Sequence, residues 1–242
     1  MVFQSEIIGQ SISRIDGPDK VTGETFYTAD VLLPGMLTGK ILRSPHPHAR
    51  IRGFDTTAAW AVPGVKAIVT GEDASGFLQG KVLRDLPVLC WDKVRYIGDR
   101  VAAVAAETPE AADEALLLIE VDYEVLPAVY EPTEAMDLGA PLLHDDVAAY
   151  EGAPTEFLAP DIHNGQTRLY WTKGDLDNGF TEADVVLEHS FSIPSRHQGY
   201  IEPFASVIAI DDDGRIQAWC SSKAPFRARR QMAQALGLDE ET

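Results

Sequence analysis

Residues 101–125, VAAVAAETPEAADEALLLIEVDYEV, carry the clearest structural pattern in the chain. The unbroken apolar run at 101–106 is typical of a strand that is covered on both faces. Thr108 can cap a helix, and Pro109 suits its first position because that position leaves the N–H unpaired anyway. Apolar residues then recur at three- and four-residue steps, which predicts one buried helix face. A second strand is predicted at 121–125, and a right-handed crossover would join the two strands if they were parallel.

The flanking sequence predicts two further groups of elements. Before residue 101, prolines and glycines separate short apolar stretches. The strands predicted there are 36–43, 50–54, 65–69 and 94–97, with a helical turn at 56–61 and irregular chain at 70–93. After residue 125, a stretch with several prolines precedes the second group. Its predicted strands are 167–172, 184–194, 205–210 and 216–221, and its predicted helices are 174–182 and 226–236, the last of them ended by Gly237.

The composition is that of a globular protein with one large domain or two of ordinary size. The chain has 242 residues, of which 45% are hydrophobic and 24% charged, so it can bury a sizeable core without disulfides. A net charge of −18 makes nucleic acid and anionic membranes poor partners, because phosphate binding needs clustered Lys and Arg. No apolar run approaches the roughly 18 residues of a membrane span. Cys90 and Cys220 offer no disulfide framework and no iron–sulfur pattern, so a cytoplasmic location is expected.

Three local clusters could suggest chemistry, and each has a simpler structural interpretation. The run His46-Pro47-His48 has no third ligand nearby in sequence for a metal ion. Catalytic carboxylates need burial or a close like charge. The segments around Asp145-Asp146 and Asp211–Asp213 are polar, which favours solvated loops instead. The second segment, with Gly214, predicts a hairpin turn. Cys220 has no neighbouring base to activate it. We therefore expect no catalytic residue and no metal ligand in this chain.

The turn at 196–203, RHQGYIEP, is the most unusual short segment of the chain. It places several polar and aromatic side chains between two predicted strands. The amide of Gln198 can donate and accept at once, and Glu202 can accept hydrogen bonds from backbone donors and fix the turn. The chain has no phosphate-binding glycine loop of the Walker or dinucleotide kind. Taken alone, the segment favours a structural turn over a ligand contact, in which Gln198 would face an oxo group or the edge of a pterin.

Short motifs across nearly the whole chain resemble, in the same order, those of the molybdenum-binding subunits of the xanthine dehydrogenase/aldehyde oxidase family. Each motif is weak alone, but the ordered set is specific. Up to residue 128 they are RID (14–16), KVTG (20–23), YTAD (27–30), LLPGML (32–37), RSPHPHARI (43–51), PGV (63–65), VRYIGD (94–99), AAVAA (102–106), IEVDYE (119–124) and LPA (126–128). In the second half they are GD (174–175), YIEP (200–203) and APF (224–226).

The resemblance implies an α+β fold in two parts. Residues 1–140 are similar to the α/β hammerhead domain that precedes the molybdenum-binding domains. Residues 141–166 are expected to be a linker, because they hold several prolines and few periodic apolar positions. Residues 167–242 are similar to the start of the first molybdenum-cofactor-binding domain, a mixed α/β molybdopterin-binding domain that we expect to be incomplete here.

The resemblance also implies a reaction, cofactors and partners. Enzymes of the family hydroxylate a carbon centre, usually in an aldehyde or an N-heterocycle, with oxygen from water, a molybdenum–molybdopterin cofactor and a glutamate base. Their electrons leave through iron–sulfur clusters and FAD on partner subunits or domains. Members that resemble carbon monoxide dehydrogenase differ at the metal and the substrate. The expected partners of this chain are the remaining molybdenum-binding region, the iron–sulfur and FAD subunits and a small-molecule substrate.

Much of the family's machinery is missing from this sequence, including the glycine-rich Gly-Gly-x-Phe-Gly-Gly segment near the cofactor and the distal glutamate that acts as base. We therefore expect an N-terminal portion of the large subunit that is inactive without the missing C-terminal part. The resemblance implies one cofactor-binding residue, Gln198, as the nearest match to the glutamine that approaches the oxo ligand; Arg196 occupies the position that some relatives use. Lys223 stands where many relatives have Gln. The alternative is a non-catalytic structural or interaction module, a hammerhead with a docking arm, that binds no cofactor.

Overall fold

The computed structural model describes residues 7–80, 83–152 and 161–241, which form a mixture of short helices and strands. The helices are α1 (Gly17–Thr22), α2 (Thr57–Trp60), α3 (Pro109–Leu117), α4 (Pro132–Ala135), α5 (Leu176–Glu182) and α6 (Pro225–Leu236). The strands are β1 (Thr38–Arg43), β2 (Ala49–Asp55), β3 (Val65–Thr70), β4 (Leu78–Gln79), β5 (Leu86–Pro87), β6 (Lys93–Val94), β7 (Arg100–Ala106), β8 (Glu120–Val125), β9 (Ser206–Ile210) and β10 (Ile216–Cys220). Within these ranges, every helix is too short or too polar to span a membrane.

Strand β7 is the centre of a three-stranded antiparallel sheet, with β1 on one side and β3 on the other. Because successive strand residues point to opposite faces, β7 contributes to two cores. The first core consists of Ala59, Val62, Ala102, Val104, Ala115 and Ile119. The second core consists of Ala49, Ile51, Cys90, Val94 and Val101. The prediction of a strand covered on both faces is therefore confirmed.

Helix α3 begins where the sequence predicts it. The hydroxyl of Thr108 accepts a hydrogen bond from the backbone N–H of Ala111 at 3.2 Å, and Pro109 is the first helical residue. Ala112 and Ala115 are fully buried. Their small side chains allow the helix to pack closely on β1 and β7, so the predicted buried face is confirmed.

Strand β8 does not join the sheet of β7. It pairs antiparallel with β2, and β2 pairs with β6 on its other side. Both edges of β7 are already occupied by β1 and β3, so β8 finds its partner in a second sheet. Leu42 and Val121 contact both cores and join the two layers. The strand–helix–strand unit at 101–125 is confirmed, but its two strands lie in different sheets, so no parallel crossover joins them.

The proline-containing segment after β8 is held against the protein. We call residues 131–152 and 161–166 the strap. The Lys93 ammonium, with only 5% of its side chain exposed, lies 3.0 Å from the carboxylate of Asp145 in the strap. The Arg95 guanidinium donates to a strap carbonyl at 2.9 Å. The strap is therefore fixed by two basic residues at the β6 strand.

The predicted hairpin is formed by β9 and β10, which pair antiparallel. The Asp211 side chain accepts hydrogen bonds from the backbone N–H groups of Asp213 and Arg215 at 3.0 and 2.9 Å, which closes the turn. Helix α6 ends before Gly237, whose φ of +66° lies in the left-handed region that glycine adopts without strain. The hairpin and the helix end are both confirmed.

Three predicted strands were wrong in extent or existence. The strand predicted at 94–97 is only Lys93–Val94, because the chain turns after Val94 with an Asp99 N–H to Tyr96 carbonyl bond. Apart from a single bridge at Thr167, residues 167–172 are irregular, and so is 184–194. A strand needs a partner for its backbone groups, and no described strand forms a ladder with either segment.

The chain groups into two compact units. One comprises Met1–Leu33, Pro194–Gln234 and Leu238–Thr242. The other comprises Pro34–Ile193 and Ala235–Gly237. The first unit contains the hairpin and the turn of Gln198, and the second contains both β7 cores and the strap.

Candidate functional site

The turn at 196–203 is fastened to the end of strand β10. The hydroxyl of Ser221 donates to the carboxylate of Glu202 at 3.0 Å and also lies 3.4 Å from the carbonyl oxygen of Pro203. The backbone N–H of Ser221 donates to the carbonyl of Ala205 at 3.3 Å. Glu202 therefore fixes the turn, as its position predicts, but it does so through a side-chain donor.

Aromatic contacts and one glycine shape the turn itself. The rings of His197 and Tyr200 have centroids 4.8 Å apart, and those of Tyr200 and Phe204 are also 4.8 Å apart. The backbone N–H of Gly199 donates to the Nδ1 atom of His197 at 3.1 Å. Gly199 has a φ of +67°, which side chains rarely adopt. The turn thus curls around a short aromatic row, and its backbone conformation favours glycine at 199.

Gln198 and Arg196 both point into open surroundings. Both residues are exposed, and neither side chain has a hydrogen-bond or ion-pair partner among the residues that the structure describes. A free primary amide can both donate and accept, so Gln198 fits the edge of a pterin or an oxo group. Arg196 offers donors alone. The hydrogen-bonding groups of these two side chains therefore suit a molybdopterin cofactor. The described part of the chain leaves the Gln198 amide open to solvent.

The stretch Ser221-Ser222-Lys223 lies next to the turn and leads into helix α6. The hydroxyl of Ser222 accepts from the N–H of Ala224 at 3.1 Å, one residue before the helix begins. Lys223 is exposed. The structure thus brings together the turn of Gln198 and the stretch where the resemblance implies cofactor contacts.

Sequence reasoning missed Ser221 as the anchor of the turn. The signal was present in the register of the hairpin, where Cys220 pairs with Ser206. One further step along this register places Ser221 opposite Ala205, beside the end of the turn. The contact between Ser221 and Pro203, which are 18 residues apart in sequence, could therefore be predicted from the position of the hairpin turn.

The other clusters have structural roles where the chain is described. The ring of His48 is buried and contacts the carbonyl oxygen of Pro127 at 2.6 Å through Nδ1, while His46 packs edge-on against Tyr123. The hydrogen bonds that Asp211 accepts from backbone N–H groups lower its pKa. Residues 7–80, 83–152 and 161–241 contain no group of three His, Cys, Asp or Glu side chains placed to hold a metal ion.

Two family models match the chain, one after the other. The a/b hammerhead domain of aldehyde oxidase and xanthine dehydrogenase matches residues 22–127. The molybdopterin cofactor-binding domain matches residues 160–242. The second match includes the turn of Gln198, the hairpin and helix α6.

Relatives and solved structures agree with these matches. The chain is 38% identical to a probable xanthine dehydrogenase subunit of Bacillus subtilis (strain 168), over 94% of this chain and 29% of that protein. It is 32% identical to the nicotinate dehydrogenase large molybdopterin subunit of Eubacterium barkeri, over 96% of this chain and 51% of that protein. The crystal structure of a Cu,Mo-CO dehydrogenase matches with a TM-score of 0.81 and 33% identity, over 96% of this chain and 30% of that chain.

The chain therefore spans between about a third and a half of the length of these relatives. The structural match confirms the predicted α+β fold class. Because the two family models follow each other in order, and the relatives align over nearly all of this sequence, the chain belongs to the aldehyde oxidase and xanthine dehydrogenase family and corresponds to the hammerhead and molybdopterin-binding part of its large subunit.

Proposed function

We propose that this chain is part of a molybdenum hydroxylase that oxidises an aldehyde or an N-heterocycle with oxygen taken from water. The observation that carries this proposal is the match of residues 160–242 to the molybdopterin cofactor-binding domain. The matched region contains an exposed, uncommitted amide at Gln198 on a turn that Glu202 and Ser221 hold in place. The similar proteins named above are oxidoreductases with different substrates, so the family supports the reaction class.

The residues of this chain position the cofactor. When it is bound, the molybdenum cofactor supplies the two-electron oxidation by which a carbon centre gains an oxygen atom. Gln198 donates to and accepts from the polar edge of the cofactor, and Arg196 is the alternative contact in the same turn. The Glu202–Ser221 hydrogen bond holds the turn against the hairpin, so that the backbone that carries Gln198 is held in place before binding.

The proposed domains and partners follow the same assignment. Residues 1–140 form the hammerhead domain, 141–166 the linker, and 167–242 the start of the first molybdenum-binding domain, which the matches at 22–127 and 160–242 support. The remaining molybdenum-binding region completes the cofactor site. Iron–sulfur clusters and FAD on partner subunits or domains accept the electrons. A cytoplasmic location suits the two free cysteines, Cys90 and Cys220.

Taken by itself, the 242-residue chain does not retain the cofactor and does not turn over. The support for this part of the proposal is the exposure of Gln198, because a cofactor site needs walls that exclude water on more than one side. The test is to produce the chain in a host that makes the molybdenum cofactor. It is produced once alone and once together with the part of the B. subtilis relative that lies outside the matched region.

Molybdenum is then measured by mass spectrometry, and oxidised pterin by fluorescence. We expect substoichiometric metal in the chain alone and molybdenum in the co-purified complex. Gln198→Ala lowers the molybdenum content of that complex, whereas Gln234→Ala, at an exposed position on α6, leaves it unchanged. Stoichiometric molybdenum in the chain alone contradicts the need for the remaining molybdenum-binding region.

The second candidate function is a structural or interaction module that binds no cofactor. The observation in its favour is the same openness of the turn at 196–203, where no described residue encloses Gln198. A complex that forms without molybdenum, and that is indifferent to Gln198→Ala, would support this candidate.

A further inference from the structure

Residues 184–193, DVVLEHSFSI, alternate in the way that a strand with one buried face does. The odd-numbered positions hold Val185, Leu187, His189, Phe191 and Ile193, and the even-numbered positions hold Asp184, Val186, Glu188, Ser190 and Ser192. A period of two places the first set on one face and the second, more polar set on the other. The segment therefore has the pattern of a half-buried strand.

In the structure this segment belongs to no sheet, and its apolar side chains lie in solvent. Val185, Leu187, Phe191 and Ile193 are 72%, 77%, 88% and 89% exposed. Folded monomers rarely leave a row of large apolar side chains open over such a length. The backbone N–H and C=O groups of the segment are also free to pair with the edge of a sheet.

Helix α5 extends this surface. Leu176 and Phe180 on the helix line an open hollow together with Val185 and Leu187 of the segment. The two helix residues are 57% and 64% exposed. The apolar row and the apolar side of α5 thus form one surface, which we call the docking strip: α5 and residues 184–193.

The relatives indicate what covers the docking strip. The large subunits that align with nearly all of this chain extend well beyond the matched region, which is 29% of the B. subtilis protein and 51% of the E. barkeri protein. A second copy of this chain is a poorer occupant, because two chains with a net charge of −18 repel each other.

We propose that residues 184–193 become a β-strand by adding to a sheet edge in the remaining part of a molybdopterin-binding large subunit. Their odd-numbered side chains, together with the apolar side of α5, face that partner's core. The inference rests on the proposed function, because it takes the partner from the same assignment. Backbone pairing supplies affinity in such strand addition, and the alternating side chains supply specificity.

The test uses the full 242-residue chain, and the part of the B. subtilis relative outside the matched region is the probe. Amide hydrogen exchange is followed in peptides that cover 184–193, with and without the probe. Exchange in these peptides slows by about tenfold or more in the complex if a strand forms. Unchanged exchange at 184–193 in a complex that does form overturns the proposal.

A matched pair of substitutions tests which face is buried. Leu187→Asp and Ser190→Asp each add one negative charge at a position that is exposed in the chain alone, so neither variant should disturb its folding. Leu187→Asp is expected to weaken the Kd for the probe by about tenfold or more, whereas Ser190→Asp changes it little. Equal effects of the two substitutions would contradict the assignment of faces. Circular dichroism of both variants checks that the chain itself is unaltered.

Molybdenum content, measured on the same samples, separates this inference from the proposed function. Protection of 184–193 without molybdenum supports the docking strip and counts against the cofactor site. Molybdenum in a complex that leaves 184–193 unprotected supports the cofactor site and counts against the docking strip. If 184–193 becomes protected only as the concentration of the chain alone rises, the occupant is a second copy and the proposed partner is wrong.

Discussion

Cys90 and Cys220 differ in how much water reaches their sulfur atoms. Cys90 is 1% exposed in the second core, and burial, with the nearby charge of Asp99, raises the pKa of its thiol to about 12. Cys220, at the end of β10, is partly exposed. Thiol reagents react with the thiolate, so we expect Cys90 to be unreactive in the folded chain.

A thiol-labelling experiment checks this difference. In the folded chain at pH 8, we expect a disulfide reagent to modify Cys220 and to reach Cys90 only after denaturation. The variant Cys220→Ser should therefore show almost no reaction until it is unfolded. Rapid labelling of this folded variant would mean that the second core opens to solvent.

His144 in the strap is sensitive to pH because of its surroundings. Its Nδ1 atom lies 2.9 Å from the hydroxyl of Tyr150. Burial, together with the positive charge of Arg95, lowers the pKa of His144 below its ordinary value of 6.5. At pH values between the lowered pKa of His144 in the folded chain and its ordinary pKa in the unfolded chain, the unfolded chain binds a proton that the folded chain does not. The contribution of the neutral His144 to stability is therefore complete above about pH 6.5 and declines as the pH falls.

Thermal unfolding at pH 7.5 and pH 5.5 measures this contribution. We expect His144→Gln to reduce the loss of Tm between the two pH values, since glutamine can still bond to Tyr150 but does not titrate in this range. His189→Gln, at an exposed position, is the matched control and should lose as much Tm as the unaltered chain. A loss of the same size in both variants would remove His144 as the cause.

At the level of elements, the two short helices beside the first core differ in their N-terminal caps. The hydroxyl of Thr108 accepts from a backbone N–H of α3, whereas Thr56, at the same position before α2, makes no side-chain cap bond. A cap bond pairs one of the N–H groups that a helix start leaves without a partner. Thr56 is therefore an internal control for the stabilising effect of the Thr108 cap bond.

Thr108→Ala is expected to lower the free energy of unfolding by about 1 kcal/mol. Thr56→Ala should lower it by much less, because no cap bond is lost. Urea denaturation of the unaltered chain and the two variants compares the two effects. Equal losses would show that the threonine methyl groups, and not the cap bond, contribute the stability.

At the level of the whole molecule, one residue ties three places of the strap together. The Asn164 amide nitrogen donates to the carbonyls of Ala135 and Pro141 at 2.9 and 3.0 Å, and its oxygen accepts from the N–H of Leu143 at 3.0 Å. Asn164 also has a φ of +56°, a conformation that asparagine tolerates better than most residues. The strap therefore depends on a side chain that lies 21 residues or more from its partners.

Asn164→Ala removes all three bonds and should cost about 1–3 kcal/mol in the free energy of docking the strap. We expect limited proteolysis to cut between residues 131 and 152 several times faster in this variant, because a protease needs locally unfolded chain. Asn178→Ala, at an exposed site on α5, is the control and should leave the cutting rate unchanged. An unaltered rate in Asn164→Ala would show that Lys93 and Arg95 hold the strap without it.

Features that depend on neighbours along the chain could be predicted from the order of amino acids. Thr108 and Pro109 start α3 through contacts within one helical turn, and Asp211 closes its hairpin turn with backbone groups two and four residues away. The apolar run at 101–106 predicted burial on both faces, because each face of a strand shows in alternate residues. The resemblance that placed Gln198 near the cofactor likewise depended on the order of short motifs, and the role of Gln198 stays a prediction.

The assembled fold settles which distant segments meet. It placed β7 and β8 in different sheets, because β1 and β3 already fill both edges of β7. It joined Ser221 to Glu202 and left 184–194 without a ladder, although its alternation is as regular as that of a true strand. This difference arises because a helix pairs its backbone groups within itself, whereas a strand requires an edge contributed by another part of a chain. A local pattern predicts which face of a strand is apolar. The sheet edge with which the strand pairs is provided only by the fold or by a partner.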